Sequence, residues 1–524
     1  MTNTQSERNK EIDVFWQALI NYPMHFLPMN NEIIDLTEDV SLSPLYSSDL
    51  APVGSSERRW NKWHIASIWV GMAVCIPTYM LGSGLIQEGM NWWQAFITIS
   101  LGNIIVLAPM LLNAHVGTKY GIPLPVFLRL SFGTKGAILA ALFRGFVACG
   151  WFGIQTWIGG AAIYQLSLVF FPSFATSASL GGFIGLNVAQ AVSFMIFWSM
   201  NMWIVYKGID SIKVLETWAA PFLLIIGLVL LIWAWNRVGS LSEILHASYS
   251  LSGKGDVNFW KLFFPGLTAM VGFWATLSLN IPDFTRYARS QKDQIKGQIM
   301  GLAPTMMFYS FIGIAVTSAT LIIFGKAIWN PVTLLGMFKS PVVVIVAMFG
   351  LTVATLSTNL AANVVAPSND FANIMPRKIS FKMGGYITGI IGILMFPWKL
   401  IADPQGYIFR WLIAYSALLG SIAGIMISDY YILRKTKFKL SDLYKVNGKY
   451  KGWSKPGWIA FVLSLLPVIP GFTVAVGIFK ADYFPHVLVD LYSYAWFITF
   501  GVSFLIYWIL MKWMRRRKMN IYKF

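Results

Sequence analysis

Apolar residues fall along this chain in long runs separated by short polar segments. A run of about twenty apolar residues is the length that crosses the hydrocarbon core as a helix. Such runs occur at 66–87, 92–113, 136–166, 182–206, 214–236, 260–285, 300–325, 341–365, 383–399, 409–433, 457–480 and 493–513. They predict about twelve transmembrane helices, referred to below as spans 1 to 12. A helix satisfies its own backbone polar groups, as lipid requires, so the fold class is an all-α integral membrane protein.

The polar positions inside these runs stand out because lipid offers them no partners. Span 8 closes on Ala354-Thr355-Leu356-Ser357-Thr358-Asn359-Leu360-Ala361-Ala362-Asn363. Asn359 and Asn363 lie four apart and share one helix face. Ser357 and Thr358 beside them offer neutral oxygens of the kind that hard cations prefer. Two readings fit: helix–helix glue, for which small and hydroxyl residues are common, or a wall of an ion and solute site.

Two other spans carry breaks. Span 1 has Gly71 and then Cys75-Ile76-Pro77, and span 6 has Gly266 and Gly272 followed by Asn280-Ile281-Pro282. Proline removes a backbone hydrogen bond and frees carbonyls for other partners. Interrupted spans at matching places in two halves point to a transporter site. Span 3 contains Gly150-Trp151-Phe152-Gly153-Ile154-Gln155. Trp151 and Gln155 share a face, which suits a planar ring with amide edges, and the glycines allow close approach of a backbone or ligand. Span 6 supplies a second indole, Trp274. Stacking on an aromatic ring is worth about 1–3 kcal/mol per base.

Composition agrees with the pattern. Of the 524 residues, 56% are hydrophobic and 12% charged, against about 25% charged in soluble domains. The net charge of +18 could suit nucleic acid, but its placement argues against that partner. Lys and Arg gather before span 1 and after spans 2, 4, 6, 8, 10 and 12, and the opposite loops 88–91 and 167–181 carry none. This is the positive-inside pattern, and it predicts a multi-pass protein of the cell membrane with both termini cytoplasmic. The polar N-terminal segment lacks the features of a signal peptide. It is expected to be disordered or surface-bound, with a short helix around Ile12–Leu19. Cys75 and Cys149 both fall inside spans and make neither a disulfide framework nor a metal site. No hydrolase, zinc or P-loop motif occurs, so the chain is not read as an enzyme. Acidic residues are missing from the span centres, and Glu216, Asp283 and Asp429 sit near span ends. A cation held by hydroxyls and carbonyls is therefore favoured over a protonated carboxylate, with proton coupling through Glu216 or Asp283 kept open.

With these residues in view, the chain resembles the first class of nucleobase–cation symporters, the permeases for cytosine, uracil, allantoin and hydantoin. The resemblance runs from about Asp49 to about Trp453. It rests on Asp49-Leu50-Ala51-Pro52, Arg59-Trp60, Ile68-Trp69, Gly121-Ile122-Pro123 through Gly133, Trp151-Phe152-Gly153, and Gln155-Thr156-Trp157. Further on it includes Trp329-Asn330-Pro331, Ser357-Thr358-Asn359, Ala361-Ala362-Asn363, Pro397-Trp398, Ala423 through Tyr430, and Asp442-Leu443-Tyr444.

The resemblance implies a five-plus-five inverted repeat of the LeuT-like kind with two extra C-terminal helices. The implied parts are a tail at 1–62, repeats at 63–237 and 238–434, spans 11 and 12 with their loop at 435–513, and a basic tail at 514–524. It implies a substrate held between Trp151 and Trp274 and bonded by Gln155 and Asn363, with Asn359 and Cys75 nearby. It implies a sodium site at the carbonyls of Gly71, Val74 and Ala354 and the hydroxyls of Ser357 and Thr358. Cys75 and Phe273 stand where the hydantoin branch has a glutamine and a glycine, which reshapes the pocket.

The expected activity is symport of a planar nucleobase, ureide or hydantoin with a cation, sodium in the first instance, by alternating access. A proton-coupled permease and an amino-acid-type transporter on the same fold are the alternatives. No cofactor is expected beyond the coupling ion. The expected partners are the heterocyclic substrate, the cation and the lipid bilayer.

Overall fold

The computed structural model describes residues 32–207, 209–250, 258–517 and 521. The helix expected around Ile12–Leu19 and the side chain of Glu216 lie outside the described residues. Among them, nine helices are long and apolar enough to cross a membrane. A tenth span is the bent pair Lys62–Ala73 and Ile76–Gln87, which meet at 54°. The windows at 260–285 and 383–399 are filled by the shorter apolar helices Phe259–Phe273 and Phe381–Leu394 with their continuations. They fall short for local reasons. Span 6 is interrupted at Trp274, and span 9 ends where Phe396 adopts a left-handed conformation, φ 49°.

Three features depart from the expected spans. First, the segment after span 2 is helical and not a loop. Helix Leu124–Phe170 runs through it into span 3, with a single non-helical residue at Gly133, φ 81°. A Cβ there would collide with the Gly452 carbonyl, so the kink needs glycine for both conformation and space. Second, span 6 breaks earlier than the proline suggested. Its first helix ends at Phe273 and Trp274 is the junction, while Pro282 merely opens the short helix Pro282–Thr285. Third, span 10 has π-helical ends, Gln405–Leu412 and Ser428–Leu433, around the α-helix Ile413–Ile427. Such widened turns are frequent where a helix serves a site.

Spans 3 and 8 pack along most of their length, as do spans 1 and 7, and spans 10 and 12. The first half of span 1 also touches span 8. Gly153 explains one close approach. A side chain there would meet the Gly392 carbonyl in span 9, so this glycine seats a neighbouring backbone and not a ligand. Gly150 likewise seats Trp411 of span 10.

The chain ahead of span 1 is bound across the basic end of the helices. Glu32 pairs with Lys119 at 3.0 Å, and Glu38 pairs with Lys439 at 2.7 Å and Lys445 at 2.6 Å. Buried Arg58 donates to the carbonyls of Val53 and Thr118. Arg377 donates to the Leu42 carbonyl at 2.6 Å, Arg286 to the Asp49 carbonyl at 3.1 Å, and the Tyr444 hydroxyl to the Leu50 carbonyl at 2.7 Å. From residue 32 onward the surface-bound expectation therefore holds. This strap ties the ends of spans 2, 6 and 8 to the loop ahead of span 11.

Candidate functional site

The site is assembled from two broken spans and two continuous ones. In span 1 the first helix ends at Ala73, Val74 leaves helical geometry with ψ 82°, and Cys75 is extended. An unbroken helix would send the Cys75 amide to Gly71 and the Thr78 amide to Val74. Instead Cys75 N bonds the Ala73 carbonyl and Thr78 N bonds the Cys75 carbonyl. The break thus takes the helical partners away from the carbonyls of Gly71 and Val74, the two that the resemblance assigned to a cation.

Span 8 is continuous through this level, as helix Pro341–Asn363. Ala354, Ser357 and Thr358 are all buried. Thr358 Oγ1 donates to the Ala354 carbonyl at 3.1 Å, keeping its own lone pairs available. Ser357 Oγ and Thr355 Oγ1 are buried without a hydrogen-bond partner. A buried hydroxyl left unpaired costs about 1–3 kcal/mol, so these atoms are under-satisfied as they stand. Neutral hydroxyl oxygens and freed carbonyls are both donors that suit a hard cation. Among the described residues no three His, Cys, Asp or Glu gather as a metal cluster.

The two indoles are both buried. Trp151 is 6% exposed and Trp274 3% exposed. They do not stack on each other. Phe273 stands edge-on to Trp151, with centroids 5.1 Å apart, and edge-on to Trp274 at 4.9 Å. Trp274 also meets Trp69 of span 1 edge-on at 5.2 Å. Its Nε1 has no partner, and neither has Gln155 Oε1. A donor and an acceptor, both buried and both unpaired, thus stand on the two residues that the resemblance assigned to a ring with amide edges. Trp151 Nε1 is already engaged with the Tyr415 hydroxyl at 3.2 Å.

The two asparagines of span 8 take different parts. Asn359 Nδ2 lies 3.1 Å from Thr156 Oγ1, 3.1 Å from Asn201 Oδ1 and 3.3 Å from the Phe152 carbonyl. Its Oδ1 accepts from Asn363 Nδ2 at 3.0 Å. All of the Asn359 amide is consumed by protein groups. It braces spans 3, 4 and 8 and holds the amide of Asn363. Cys75 is turned to its own helix, with Sγ 3.3 Å from Thr78 Oγ1.

Sequence reading missed three supports. Asn201 is a polar residue inside the apolar run of span 4, so a signal was present. Tyr415 of span 10 gave none, because buried tyrosines abound in this chain. The third is a buried ionic group. Arg144 of span 3 pairs with Asp370, on the continuation of span 8, at 3.0 Å. Arg144 was visible as a charge inside an apolar run, and Asp370 fell beyond the predicted end of span 8.

Residues 52–499 match the family described as permease for cytosine/purines, uracil, thiamine, allantoin. The purine-uracil permease of Arabidopsis thaliana is 40% identical over 91% of this chain and 79% of its own length. The allantoin permease of Bacillus subtilis is 38% identical over 89% of this chain and 93% of its own length. Among solved structures, the inward-facing conformation of Mhp1 superimposes with a TM-score of 0.73 at 22% identity, covering 94% of this chain and 97% of that one. Mhp1 in a closed conformation with bromovinylhydantoin bound, a nucleobase-cation-symport-1 family transporter, gives 0.71 at 22% identity over 91% and 98%. A sodium-coupled sialic acid symporter gives 0.57 at 12% identity, covering 88% of this chain and 91% of that one, so the likeness extends to the wider LeuT-like fold. The chain belongs to the family of membrane permeases for cytosine and purines, uracil, thiamine and allantoin.

Proposed function

We propose that this permease imports a small planar ring with amide edges, allantoin or a nucleobase, together with sodium, by alternating access. The observation that carries this reading is the set of unpaired buried polar atoms. Trp274 Nε1, Gln155 Oε1 and Ser357 Oγ each lack a partner and lie on the three spans that a bound ring and ion would join. The ring would lie between Trp151 and Trp274, accept from the Trp274 indole, donate to Gln155 and bond Asn363. Amide bonding of this kind penalises analogues that lack the edge groups. Relatives at 38–40% identity named for allantoin and for purine and uracil support this substrate class.

Sodium would sit against the carbonyls of Gly71, Val74 and Ala354 and the hydroxyls of Ser357 and Thr358. Span 8 then touches both ligands, and each helps to order the surface that the other needs. A helix bundle would rock around this fixed level, with the basic loops and both termini on the cytoplasmic side.

Uptake of radiolabelled allantoin, uracil and adenine into proteoliposomes, driven by an inward sodium gradient, tests the reading. The wild type should accumulate at least one of them, and Trp151→Ala should abolish that uptake while remaining folded. Normal uptake by Trp151→Ala would overturn the site assignment.

A further inference from the structure

Arg144, Asp370, Asn280 and Asp283 form a buried group outside the candidate ring and ion sites. Arg144 lies on span 3 ahead of Trp151, Asp370 on span 8 beyond Asn363, and Asp283 on span 6 beyond Trp274. At 1.5 Å of rise per residue each is displaced from those residues by roughly 10 Å. All three displacements run toward the end that carries the basic loops. The group therefore lies on the basic-loop side of the ring site.

Its bonding is uneven. Arg144 Nη1 donates to Asp370 Oδ2 at 3.0 Å, and Nη2 donates to Asn280 Oδ1 at 3.0 Å. Asn280 Nδ2 is 3.5 Å from Asp283 Oδ2, and the Leu124 amide donates to Asp283 Oδ1 at 2.7 Å. Arg144 is 1% exposed, Asp370 and Asn280 0%, and Asp283 5%. Asp370 Oδ1 and Arg144 Nε have no partner. One carboxylate thus pairs with the buried guanidinium, a second is linked to it through Asn280, and one oxygen of Asp370 is bare. A buried, under-bonded anion is strongly disfavoured and takes up a proton instead.

The neighbouring titratable groups leave this shortage in place. Cys149 lies one turn along span 3. Arg129 is spent on Asn373 and the Leu443 carbonyl. Arg286 donates to the Asp49 carbonyl and lies over the Tyr287 ring. On the packed helix Phe381–Leu394, Lys382 lies over Tyr206, and Tyr386 packs in the apolar cluster with Phe152 and Leu360.

We propose that this group is a proton site that latches the basic-loop end of the transporter, one proton being held by Asp370 and Asp283 while span 6 is bonded to span 3 through Arg144 and Asn280. When span 6 parts from span 3, the Arg144–Asn280 bond breaks and water enters. The shared carboxyl then ionises and its proton passes to that water. Acid on this side holds the latch shut, and alkali favours opening. Arg144 acts as a positioning residue throughout. The latch rests on the alternating-access reading but on neither the ring nor the ion assignment.

The test is a distance measurement on the full chain in lipid nanodiscs. Spin labels at Lys135→Cys and Lys292→Cys report the separation of spans 3 and 7 at this end, in a Cys149→Ala background. Between pH 5 and pH 9 the wild-type distances should shift toward longer values as pH rises. Asp370→Asn, which imitates the protonated form, should lose that shift. Asp283→Asn should lose it as well and serves where Asp370→Asn does not fold. A wild type indifferent to pH, or asparagine variants that follow pH as the wild type does, would overturn the proposal. Thermal-shift binding of allantoin and uracil on the same samples separates the two readings. Loss of ring binding with the pH response intact would strike the substrate assignment and leave the latch standing.

Discussion

The rings of Trp151 and Phe273 meet edge to face, with centroids 5.1 Å apart and planes 84° apart. Phe273 touches Trp274 in the same manner, at 90°. It therefore stands against both indoles between which a ring would lie, and it limits the width of that slot. Phe273→Gly should open the slot. Binding of bulky 5-substituted hydantoins, read by thermal shift, should rise roughly tenfold relative to allantoin, the scale of one or two methylene-sized contacts. An unchanged preference would show that Phe273 moves aside whenever a ligand enters.

Asn359 and Asn363 predict different phenotypes. Asn359→Ala strips a partner from Thr156, Asn201 and Asn363 together. It should destabilise the protein by about 1–3 kcal/mol, the cost of leaving buried polar groups unpaired, and lower its melting temperature. Asn363→Ala strips one partner, that of Asn359 Oδ1, and should lower the melting temperature less than Asn359→Ala while abolishing uptake. Melting curves and uptake on both variants check this. Equal melting temperatures would contradict the bracing role.

The N-terminal strap should respond to strong acid. The side-chain hydrogen bonds from Lys439 and Lys445 hold the exposed Glu38 carboxyl down at about 2, below the usual glutamate value of about 4.3. A carboxylate with a depressed folded-state pKa contributes fully above its free value, and the contribution is lost as pH falls through the folded value. The contact should be intact at neutral pH and weaken between about pH 4 and pH 2, and salt should weaken it too. Glu38→Gln should release the strap at neutral pH. Faster protease cleavage between residues 32 and 50 in that variant would report the release, and unchanged cleavage would contradict it.

Much of this architecture was legible because a bilayer imposes a strict rule on apolar runs, and each expected window contains helix, though 182–187 and 476–480 lie outside the helices of theirs. The break in span 1 was legible from Cys75-Ile76-Pro77, since proline has a fixed structural consequence. The break at Trp274 was only partly legible, because Gly272 stands two residues before it but Pro282 drew the expected break further along. A side chain at Gly272 would meet the Leu412 carbonyl. The span 8 residues were legible as polar groups in an apolar run. Their division of labour was not, because the partners of Asn359 come from spans 3 and 4 and no local pattern reports them. Asp370 was hidden for a related reason. Its burial depends on Arg144, far away in sequence, and a charge beyond an apolar run reads as a solvated loop.

The most direct test of the central claim is the affinity of the purified full chain for allantoin and uracil, measured with and without sodium, in the wild type and in the double variant Ser357→Ala, Thr358→Ala. If span 8 couples the two ligands, sodium should tighten ring binding several-fold in the wild type, and the ring should tighten sodium binding by the same factor. The double variant should bind the ring with its sodium-free affinity at every sodium concentration. Ring binding that ignores sodium in the wild type, or a double variant that still responds to sodium as the wild type does, would contradict the account.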